Sequence, residues 1–261
     1  MDKKPSLIAI VINDVIYDQR MIRICTSLSQ NFEVALWGRA KSAAVVVPQP
    51  YQQKRFRFMV NKGPLFYLMF NLRIFWKLIF SSFDVIHAVD LDTLPAAYFA
   101  CKLKGKKLVY DSHEYFTEVP ELIERPVKRA VWLRLEAYLI PKISNALTVS
   151  QGIAEAYYEK YRVAFEVIRN CPVSFDLASK KKDKKYLLYQ GALNKGRGLE
   201  ATIEAMQDLP ILLYIAGNGD IKEELVRHVA ELKLEDKVIF LGELNPIKLR
   251  DYTLGAFAGI N

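Results

Sequence analysis

Polar side chains at the ends of apolar runs are the first residues of this chain that can do chemistry. Asp90 follows one such run, and Asp111, His113 and Glu114 follow the next. In an open parallel sheet, ligands bind beyond the carboxyl ends of the strands, so these groups are expected to face one polar ligand. Aspartates at such positions also form turns and cap helices, and that interpretation stays open for them. A histidine between serine and glutamate is no routine cap, which favours a functional interpretation of His113.

The tripeptide from Asp90 to Asp92 can also be interpreted as a DxD metal motif. Two hard carboxylates one residue apart can share a Mg²⁺ or Mn²⁺ ion, as in metal-dependent sugar transferases. The pattern is common by chance, and Asp92 can instead cap the helix that follows it. His87 and His228 are too far from His113 along the chain to indicate a zinc site. We therefore expect no bound metal, and a structural role for His228.

A glycine-rich turn in the second half of the chain, residues 191–198, joins a predicted strand to a predicted helix. Glycines let backbone amides approach an anion, and Lys195 and Arg197 can pair with phosphate oxygens. A second glycine turn at the next strand end repeats the arrangement, although Asp220 with Glu223 also fits a capping box. Two such turns favour the binding of a phosphorylated ligand. The glycines concerned are Gly191, Gly217 and Gly219.

Short apolar runs alternate with helix-period segments along the whole chain. Strands that are apolar throughout and separated by helices imply a parallel sheet covered on both faces. The sequence therefore predicts an α/β fold with Rossmann-like parallel sheets. The predicted strands are 7–13, 33–37, 84–89, 107–111, 146–150 and 166–170, then 186–189, 211–216, 238–241 and one starting at Phe257. The predicted helices of the second part are 199–206, 221–234 and one near 246–252.

A basic run, KKKDKK, divides the chain. We interpret residues 174–185 as a linker between a first domain, residues 1–173, and a second domain, residues 186–261. The second segment is shorter than a usual domain, so we expect it to be incomplete. The chain contains no Walker A sequence, and no GxGxxG follows the first strand, which argues against ATPase and ordinary dinucleotide-binding functions.

Composition narrows the class of protein further. The chain has 261 residues, 51% of them hydrophobic and 25% charged, which excludes intrinsic disorder. Its three cysteines are an odd number without CxxC spacing, so we expect buried thiols in a reducing compartment. The apolar run after Lys3 and Lys4 is too short for a signal peptide, which indicates a cytoplasmic protein.

The positive charge belongs to the first part of the chain. The net charge is +8; residues 1–185 carry 29 basic and 18 acidic side chains, whereas residues 186–261 carry 8 and 11. Residues 64–83 approach the length of a membrane span, but Arg73 and Lys77 near the middle each cost ~2.5 to 3.5 kcal/mol on insertion scales. An interfacial helix, with Arg73, Lys77 and Ser81 on one face, and a helix packed on the sheet both remain open.

The basic and aromatic stretch makes an anionic membrane surface a candidate partner and a peripheral position at the inner face of the membrane a candidate location. Nucleic acid is not an expected partner, because the chain has no recognition motif for it.

Taken with the strand-end residues, six sequence segments give a family resemblance. Residues 189–206, YQGALNKGRGLEATIEAM, are followed by IAGNGD and VIFLGEL; upstream lie DVIHAVDLDTLPAA, KLVYDSHEY and VIRNCP. In order and spacing this series resembles the GT-B retaining glycosyltransferases of glycosyltransferase family 4, through most of the chain. The resemblance implies two Rossmann-like domains, the second binding a nucleotide-diphosphate sugar.

The resemblance also implies roles for single residues. His113 corresponds to the family histidine near the donor sugar and reaction centre, and Lys195 and Arg197 fall in the segment whose cations bind the diphosphate. Asp18 and Arg20 lie in the first-strand loop, which faces the cleft in the family. The implied reaction moves a sugar to an acceptor hydroxyl of a glycan or lipid-linked acceptor with retention, and needs no metal or other cofactor because cations and helix N-termini stabilise the leaving diphosphate. On the acceptor side of that cleft we place Asp18, Arg20, Asp90, Asp111 and Glu114.

Two departures from the family pattern affect this expectation. Many members have Gly-Arg where this chain has Gly191-Ala192. The family motif with two glutamates eight residues apart, which holds ribose and sugar, would lie beyond Asn261. We therefore expect the chain as given to be inactive as a transferase, and a non-catalytic binding module of the same ancestry remains an alternative.

Overall fold

The structure is a computed structural model that describes residues 4–16, 18–40, 48–171, 186–244 and 246–260. The chain divides into two compact units, Met1–Pro172 (unit 1) and Val173–Asn261 (unit 2). The predicted linker, residues 174–185, lies outside the described residues.

Unit 1 is built on a seven-stranded parallel sheet. Its strands are β1 (Ser6–Asp14), β2 (Glu33–Arg39), β3 (Gln52–Phe56), β4 (Val85–Val89), β5 (Lys107–Ser112), β6 (Ala146–Thr148) and β7 (Glu166–Val167). They lie in the order β3-β2-β1-β4-β5-β6-β7, with every neighbouring pair parallel. The order reverses beside β1, so the switch point between β1 and β4 is where an open α/β sheet binds its ligand.

Helices cover both faces of this sheet. They are α1 (Gln19–Leu28), α2 (Gly63–Ile79), α3 (Leu94–Lys104), α4 (Pro120–Ile123), α5 (Pro126–Leu139) and α6 (Gln151–Tyr161), with 3-10 turns at Phe116–Glu118 and Ile140–Lys142. Chain crossovers run in opposite directions from β1, and right-handed connections therefore place α1 on one face and α2 and α3 on the other. Met21 of α1 is buried in one core, and Phe70 and Ile74 of α2 in the second.

One strand of unit 1 was not predicted from the sequence. Residues Gln52–Phe56 form β3, which pairs with β2 and is the edge strand of the described sheet. Its side chains alternate between exposed and partly covered positions until Phe56. A strand with one open edge keeps polar residues because water still reaches it. The continuous apolar pattern that identified the central strands is therefore absent.

Unit 2 is a smaller, four-stranded parallel sheet. Its elements are β8 (Tyr186–Gln190), α7 (Leu199–Ala205), β9 (Leu212–Ala216), α8 (Lys222–Glu231), β10 (Val238–Gly242), α9 (Pro246–Gly255) and β11 (Ala258–Ile260), with strand order β10-β9-β8-β11. Leu199, Leu213 and Leu225 from successive elements are fully buried in its core. The prediction of an α/β fold with two Rossmann-like parallel-sheet domains is confirmed, and the second domain is the smaller one.

The cysteines differ from the prediction in one case. Cys25 and Cys101 are buried free thiols, and burial raises the pKa of each to about 12. Cys171 is exposed, so the prediction of a buried thiol is wrong for this residue. It lies beyond the end of β7, where the chain has left the sheet.

The aromatic and basic stretch forms α2, which packs on the sheet through Phe66, Phe70, Ile74 and Leu78. Ser81, predicted to share a helical face with the basic residues, lies beyond the end of the helix, where its hydroxyl donates to the carbonyl of Lys77. Within the described parts of the chain, none of the helices combines the length and the apolar character needed to cross a bilayer.

Candidate functional site

Asp111 is the centre of a group of charged side chains at the carboxyl end of the unit 1 sheet. It lies on β5, between β4 and β6, and its side chain is only 3% exposed. A carboxylate this deeply buried stays ionised only when it is paired and hydrogen-bonded. Arg20, His87 and His113 provide those partners, and with Asp90 they form what we call the Asp111 cluster.

Arg20 reaches Asp111 from α1. Its Nη2 donates to Oδ1 at 3.0 Å and to Oδ2 at 3.3 Å. The helix itself begins after Asp18, whose Oδ1 accepts from the backbone N–H of Met21 at 3.0 Å. Asp18 is thus the N-cap that fixes the start of α1, and Arg20 is already paired inside the protein. Both predicted residues lie at this edge of the sheet, with structural roles that the sequence did not show.

His87 and His113 share one oxygen of Asp111. Nε2 of His87 lies 3.1 Å from Oδ2, and Nε2 of His113 lies 3.2 Å from it. Because an ionised carboxylate only accepts, Nε2 carries the proton in both rings, and Nδ1 of a neutral His113 is left as an acceptor. Burial alone would raise the pKa of Asp111, but the hydrogen bonds and charges of His113 and His87 outweigh it and hold that pKa well below its ordinary value.

Asp90 approaches His113 from the end of β4. Its backbone is left-handed, with φ +60°, and its Oδ1 accepts from the backbone N–H of His113 at 2.8 Å. Oδ2 lies 3.7 Å from Nδ1 of His113, which is too long for a hydrogen bond. Burial raises the pKa of Asp90, against the opposing charge of His113. Strained backbone of this kind persists only where the surroundings hold it, and it concentrates at functional sites.

Asp92 is more deeply buried than Asp90 and less well satisfied. The residue is 5% exposed, and among the described residues its Oδ1 has no hydrogen-bond partner. Burial raises its pKa to about 7. The predicted helix cap is not formed, because the N-cap of α3 is Thr93, whose hydroxyl donates to the carbonyl of Val89 at 2.7 Å. The part of the chain that the structure describes contains no group of three side chains arranged to hold a metal ion.

The accessible groups of the cluster are Asp90 and His113. Their side chains are 23% and 18% exposed, whereas Asp111 behind them is almost completely covered. Glu114 is exposed beside them, and its negative charge helps to raise the pKa of both Asp90 and Asp92. A ligand at this edge therefore meets a carboxyl and an oriented imidazole, a pair that can hydrogen-bond to hydroxyl groups.

Two glycine loops, residues 191–198 and 217–220, follow the adjacent strands β8 and β9 of unit 2. A Cβ atom on Gly217, which has φ +153°, would lie 1.8 Å from the carbonyl oxygen of Gly191. One on Gly219 would lie 2.4 Å from the carbonyl oxygen of Leu193. These glycines are required because the two loops touch through their backbones, a reason independent of any anion.

Lys195 and Arg197 project from the first glycine loop. Both are exposed, and in the described part of unit 2 neither makes a hydrogen bond or an ion pair. Nothing in that part of the chain therefore competes with an anionic ligand for them. The predicted capping box is not formed, since α8 begins after Ile221 and the Asp220 backbone N–H meets Oδ1 of Asn194 at 3.4 Å instead.

His87 is the site residue that sequence reasoning missed. From the sequence, His87 was considered only as a zinc ligand. Its position inside an apolar strand was the available signal, since a histidine in a central strand needs a buried partner. Asn71 of α2 was also missed; its side chain donates to the carbonyl of Asp92 at 2.8 Å and accepts from the N–H of Ala96 at 3.0 Å. No pattern in the sequence indicated that contact.

Comparison with known protein families assigns both parts of this chain to family profiles. Residues 20–172 match the profile of Glycosyltransferase Family 4, and residues 174–256 match that of Glycosyl transferases group 1. The first match covers more than half of the chain. The two matched segments correspond to the two units of the structure.

A curated relative matches part of the chain. It is the N-acetylgalactosamine-N,N'-diacetylbacillosaminyl-diphospho-undecaprenol 4-alpha-N-acetylgalactosaminyltransferase of Campylobacter jejuni, 30% identical over 125 residues. The match covers 44% of this chain and 34% of the relative, so it spans about a third of that protein's length.

Solved structures share the fold at low identity. Sucrose-phosphate synthase from Thermosynechococcus elongatus has a TM-score of 0.74 at 16% identity, over 98% of this chain and 75% of that one. Anabaena HepE, in complex with UDP and glucose, has a TM-score of 0.68 at 15% identity, over 98% and 73%. At such identities the likeness establishes the GT-B arrangement of parallel sheets and nothing more specific. The profile matches carry the assignment: this chain belongs to Glycosyltransferase Family 4.

Proposed function

We propose that this protein transfers a sugar from a nucleotide-diphosphate sugar to an acceptor hydroxyl with retention of configuration, in cell-surface polysaccharide or glycolipid synthesis. The observation that carries the proposal is the pair of consecutive family matches, one for each unit. The name of the Campylobacter relative supports a lipid-linked acceptor, and the UDP and glucose bound to HepE support a nucleotide-sugar donor. The retaining outcome follows from the family resemblance of the sequence.

In this proposal His113 positions the donor sugar near C1. The ring is held at Nε2 by Asp111, 3.2 Å away, while its partly exposed edge faces the ligand side. An imidazole held in one orientation can hydrogen-bond to a sugar hydroxyl without becoming a covalent nucleophile. Asp90 accepts from the backbone N–H of His113 and fixes the loop from which the ring projects.

Lys195 and Arg197 bind the diphosphate. Negative charge develops on the leaving group during transfer, so cations placed beforehand stabilise the transition state more than the ground state. The side chains of Lys195 and Arg197 have no protein partner among the described residues, so their N–H donors are available to a ligand. We propose that these cations replace a divalent metal and that the reaction needs no cofactor.

A lipid-linked acceptor lies in a membrane, so we propose that the protein works at the inner face of the cytoplasmic membrane as a peripheral protein. The name of the relative, with its diphospho-undecaprenol acceptor, supports this location.

The test is a transfer assay with UDP-sugars as donors and an undecaprenyl-diphosphate-linked saccharide as acceptor. It is run on a version of the protein that also carries the family motif with two glutamates, because we expect the chain as given to be inactive. We expect a new α-linkage from an α-configured donor, detected by NMR of the anomeric proton, with EDTA making no difference. His113→Ala should lower kcat by about 100-fold or more, as the loss of a group acting in the transition state does. His228→Ala, a histidine of unit 2 outside the cluster, is the matched control and should leave kcat unchanged.

Three results would contradict the proposal. Inversion of the anomeric configuration would exclude the retaining mechanism. Complete and reversible loss of activity with EDTA would restore the metal interpretation of Asp90 and Asp92. Equal kcat values for His113→Ala and the unmodified protein, at unchanged melting temperature, would remove His113 from the reaction.

A further inference from the structure

The helix α2 exposes an apolar face as well as burying one. Five of its large apolar side chains, including the residue that ends the helix, are each more than half exposed. Their spacing of three or four residues puts them on one side of the helix, opposite the side that packs on the sheet. We call this set the α2 ridge. It consists of Leu65, Leu68, Leu72, Trp76 and Phe80.

The neighbouring helix α3 adds to this surface. Phe99 and Leu103 are 42% and 70% exposed. Lys104 joins the two helices at one end, where its ammonium donates to the carbonyls of Ile79 and Ser81 at 2.8 and 2.7 Å. Monomeric proteins rarely leave a large contiguous apolar patch in water, and such patches mark sites of interaction.

The charged side chains of the two helices that form this surface, α2 and α3, have one sign. The segments 63–79 and 94–104 contain no aspartate or glutamate, whereas Lys77 and Lys102 are exposed. Arg73 does not belong to this group: it donates to the carbonyl of Arg57 and lies over the ring of Phe58, 5.3 Å from its centroid. The basic face predicted from the sequence is thus reduced to lysines at the border of an apolar surface.

We propose that the α2 ridge docks on a bilayer that contains anionic lipids. Leucine and tryptophan side chains enter the interface while Lys77 and Lys102 contact lipid phosphates, which is how amphipathic surface helices bind membranes. A second copy of the chain fits less well. A two-fold interface would bring the same lysines together with no acidic residue of either helix to pair with them.

The position of α2 connects this surface to the Asp111 cluster. The helix starts at the carboxyl edge of the sheet, after β3, and runs about 25 Å back to the start of β4. Its first turn, with Leu65, therefore lies nearest the edge that carries Asp90 and His113. Asn71, in the middle of α2, bonds the segment just after Asp90. The reason for such docking, access to a lipid-linked acceptor, rests on the proposed function.

The test is binding of the unmodified chain to vesicles of phosphatidylcholine with one third phosphatidylglycerol, measured by co-sedimentation without any sugar donor. Binding should weaken with salt, because exposed charges are screened beyond about 10 Å at 0.1 M. The double variant Leu68→Glu/Leu72→Glu should lower the partition coefficient by at least about tenfold, since two apolar anchors become negative charges. The milder Leu68→Ser/Leu72→Ser variant should follow the same trend, and a normal urea-unfolding curve shows that each is folded.

Val226→Glu, at an exposed apolar position of α8 in unit 2, is the matched control and should bind like the unmodified chain. The proposal is overturned if the unmodified chain fails to bind, if it binds pure phosphatidylcholine equally, or if folded ridge variants bind unchanged. A dimer that the ridge variants dissociate, without vesicle binding, would assign the ridge to a second copy and overturn it as well. Because the assay contains no donor, its outcome is independent of whether the protein transfers a sugar.

Discussion

The Asp111 cluster of unit 1 and the glycine loops of unit 2 are two different ways to prepare a polar binding surface. In the cluster, charged side chains are paired with one another before any ligand arrives, with Asp111 accepting from Arg20, His87 and His113. In the loops, backbone contacts set the shape, and the two cations extend into water. One surface is fixed by side chains and the other by the main chain.

Because of this difference, substitutions in the two regions should affect stability differently. Removing a charge from the cluster leaves its partners buried and unpaired, so the fold and the site should fail together. Removing an exposed cation from the loops leaves no buried partner behind, whereas changing a loop glycine disturbs the main chain itself. Lys195 and Arg197 also lose up to about 2 kcal/mol of side-chain entropy each when a ligand orders them.

The largest expected effect is the replacement of Asp111 by asparagine. The change keeps the shape but removes the negative charge that faces Arg20 and two histidines, so the free energy of unfolding should fall by about 3 kcal/mol. Urea unfolding followed by tryptophan fluorescence measures it. All three tryptophans, Trp37, Trp76 and Trp132, lie in unit 1 and report on it alone.

Asp18→Asn is the matched control for this change. Asparagine caps helices about as well as aspartate, so stability should change by less than about 0.5 kcal/mol. Equal losses for Asp18→Asn and Asp111→Asn would mean that the cluster contributes no more than any polar group at the strand ends.

A second prediction concerns the contact between the glycine loops. In Gly217→Ala the added methyl group meets the carbonyl oxygen of Gly191, and the backbone conformation is one that alanine avoids. The variant should lose about 2 to 3 kcal/mol in unit 2, seen as faster hydrogen exchange of the β8 and β9 amides. The tryptophan transition of unit 1 should stay where it is.

Gly198→Ala distinguishes the two causes of this loss, the collision between the loops and the strained backbone conformation. Its φ is +69° but nothing lies within 4 Å of the added methyl group, so it carries backbone strain without a collision. We expect a loss of about 1 kcal/mol. A loss as large as that of Gly217→Ala would show that loop contact is unimportant and that strain explains both.

The same contrast explains what could be predicted from the sequence. The central strands of both units were predictable because strands buried on two faces leave continuous apolar runs, and the carboxyl ends of β4 and β5 then follow by counting. His113 and Asp111 were therefore placed correctly at the edge of the sheet. The edge strand β3 was not predicted, because a strand open to water on one side carries no such run.

Contacts between distant segments could not be predicted. Arg20 and Asp111 are 91 residues apart, and only the folded sheet brings them within 3.0 Å. The requirement for glycine at Gly217 likewise comes from Gly191 across the loop contact, although the sequence reasoning attributed it to an anion. Helix caps were wrong at Asp92 and Asp220 because each helix begins one residue later than the motif implied.

A third prediction uses the buried carboxyl beside the cluster. Burial raises the pKa of Asp92 from 3.8 to about 7. Between these values the folded protein holds a proton that the unfolded chain has released, so stability falls as the pH rises from about 4 to 7 and stays low above it. Asp92→Asn removes this loss. The gain in the free energy of unfolding caused by the substitution should therefore be larger at pH 8 than at pH 5, by about 1 to 3 kcal/mol.

Parallel urea titrations of both proteins at the two pH values measure this difference. Asp90 also titrates in both proteins. Because the charge of Asp92 helps to raise the pKa of Asp90, the variant should reduce that part of the loss as well, in the same direction. A gain of the same size at pH 5 and pH 8 would show that Asp92 is not the titrating group and that the asparagine acts by hydrogen bonding alone.

The smallest effect on stability is expected for the exposed cations of the first glycine loop. Arg197→Ala removes one cation from the first glycine loop without leaving a buried partner, so the free energy of unfolding should change by less than about 0.5 kcal/mol. If the loop binds a diphosphate, the affinity for UDP measured by calorimetry should fall by about tenfold, because a charge-assisted hydrogen bond contributes at least about 1.5 kcal/mol. Arg227→Ala, an exposed arginine of α8, should change neither quantity. A clear loss of stability in Arg197→Ala, or a UDP affinity equal to that of the control, would contradict a role of this side chain in ligand contact. The contrast with the Asp111 cluster would then no longer hold.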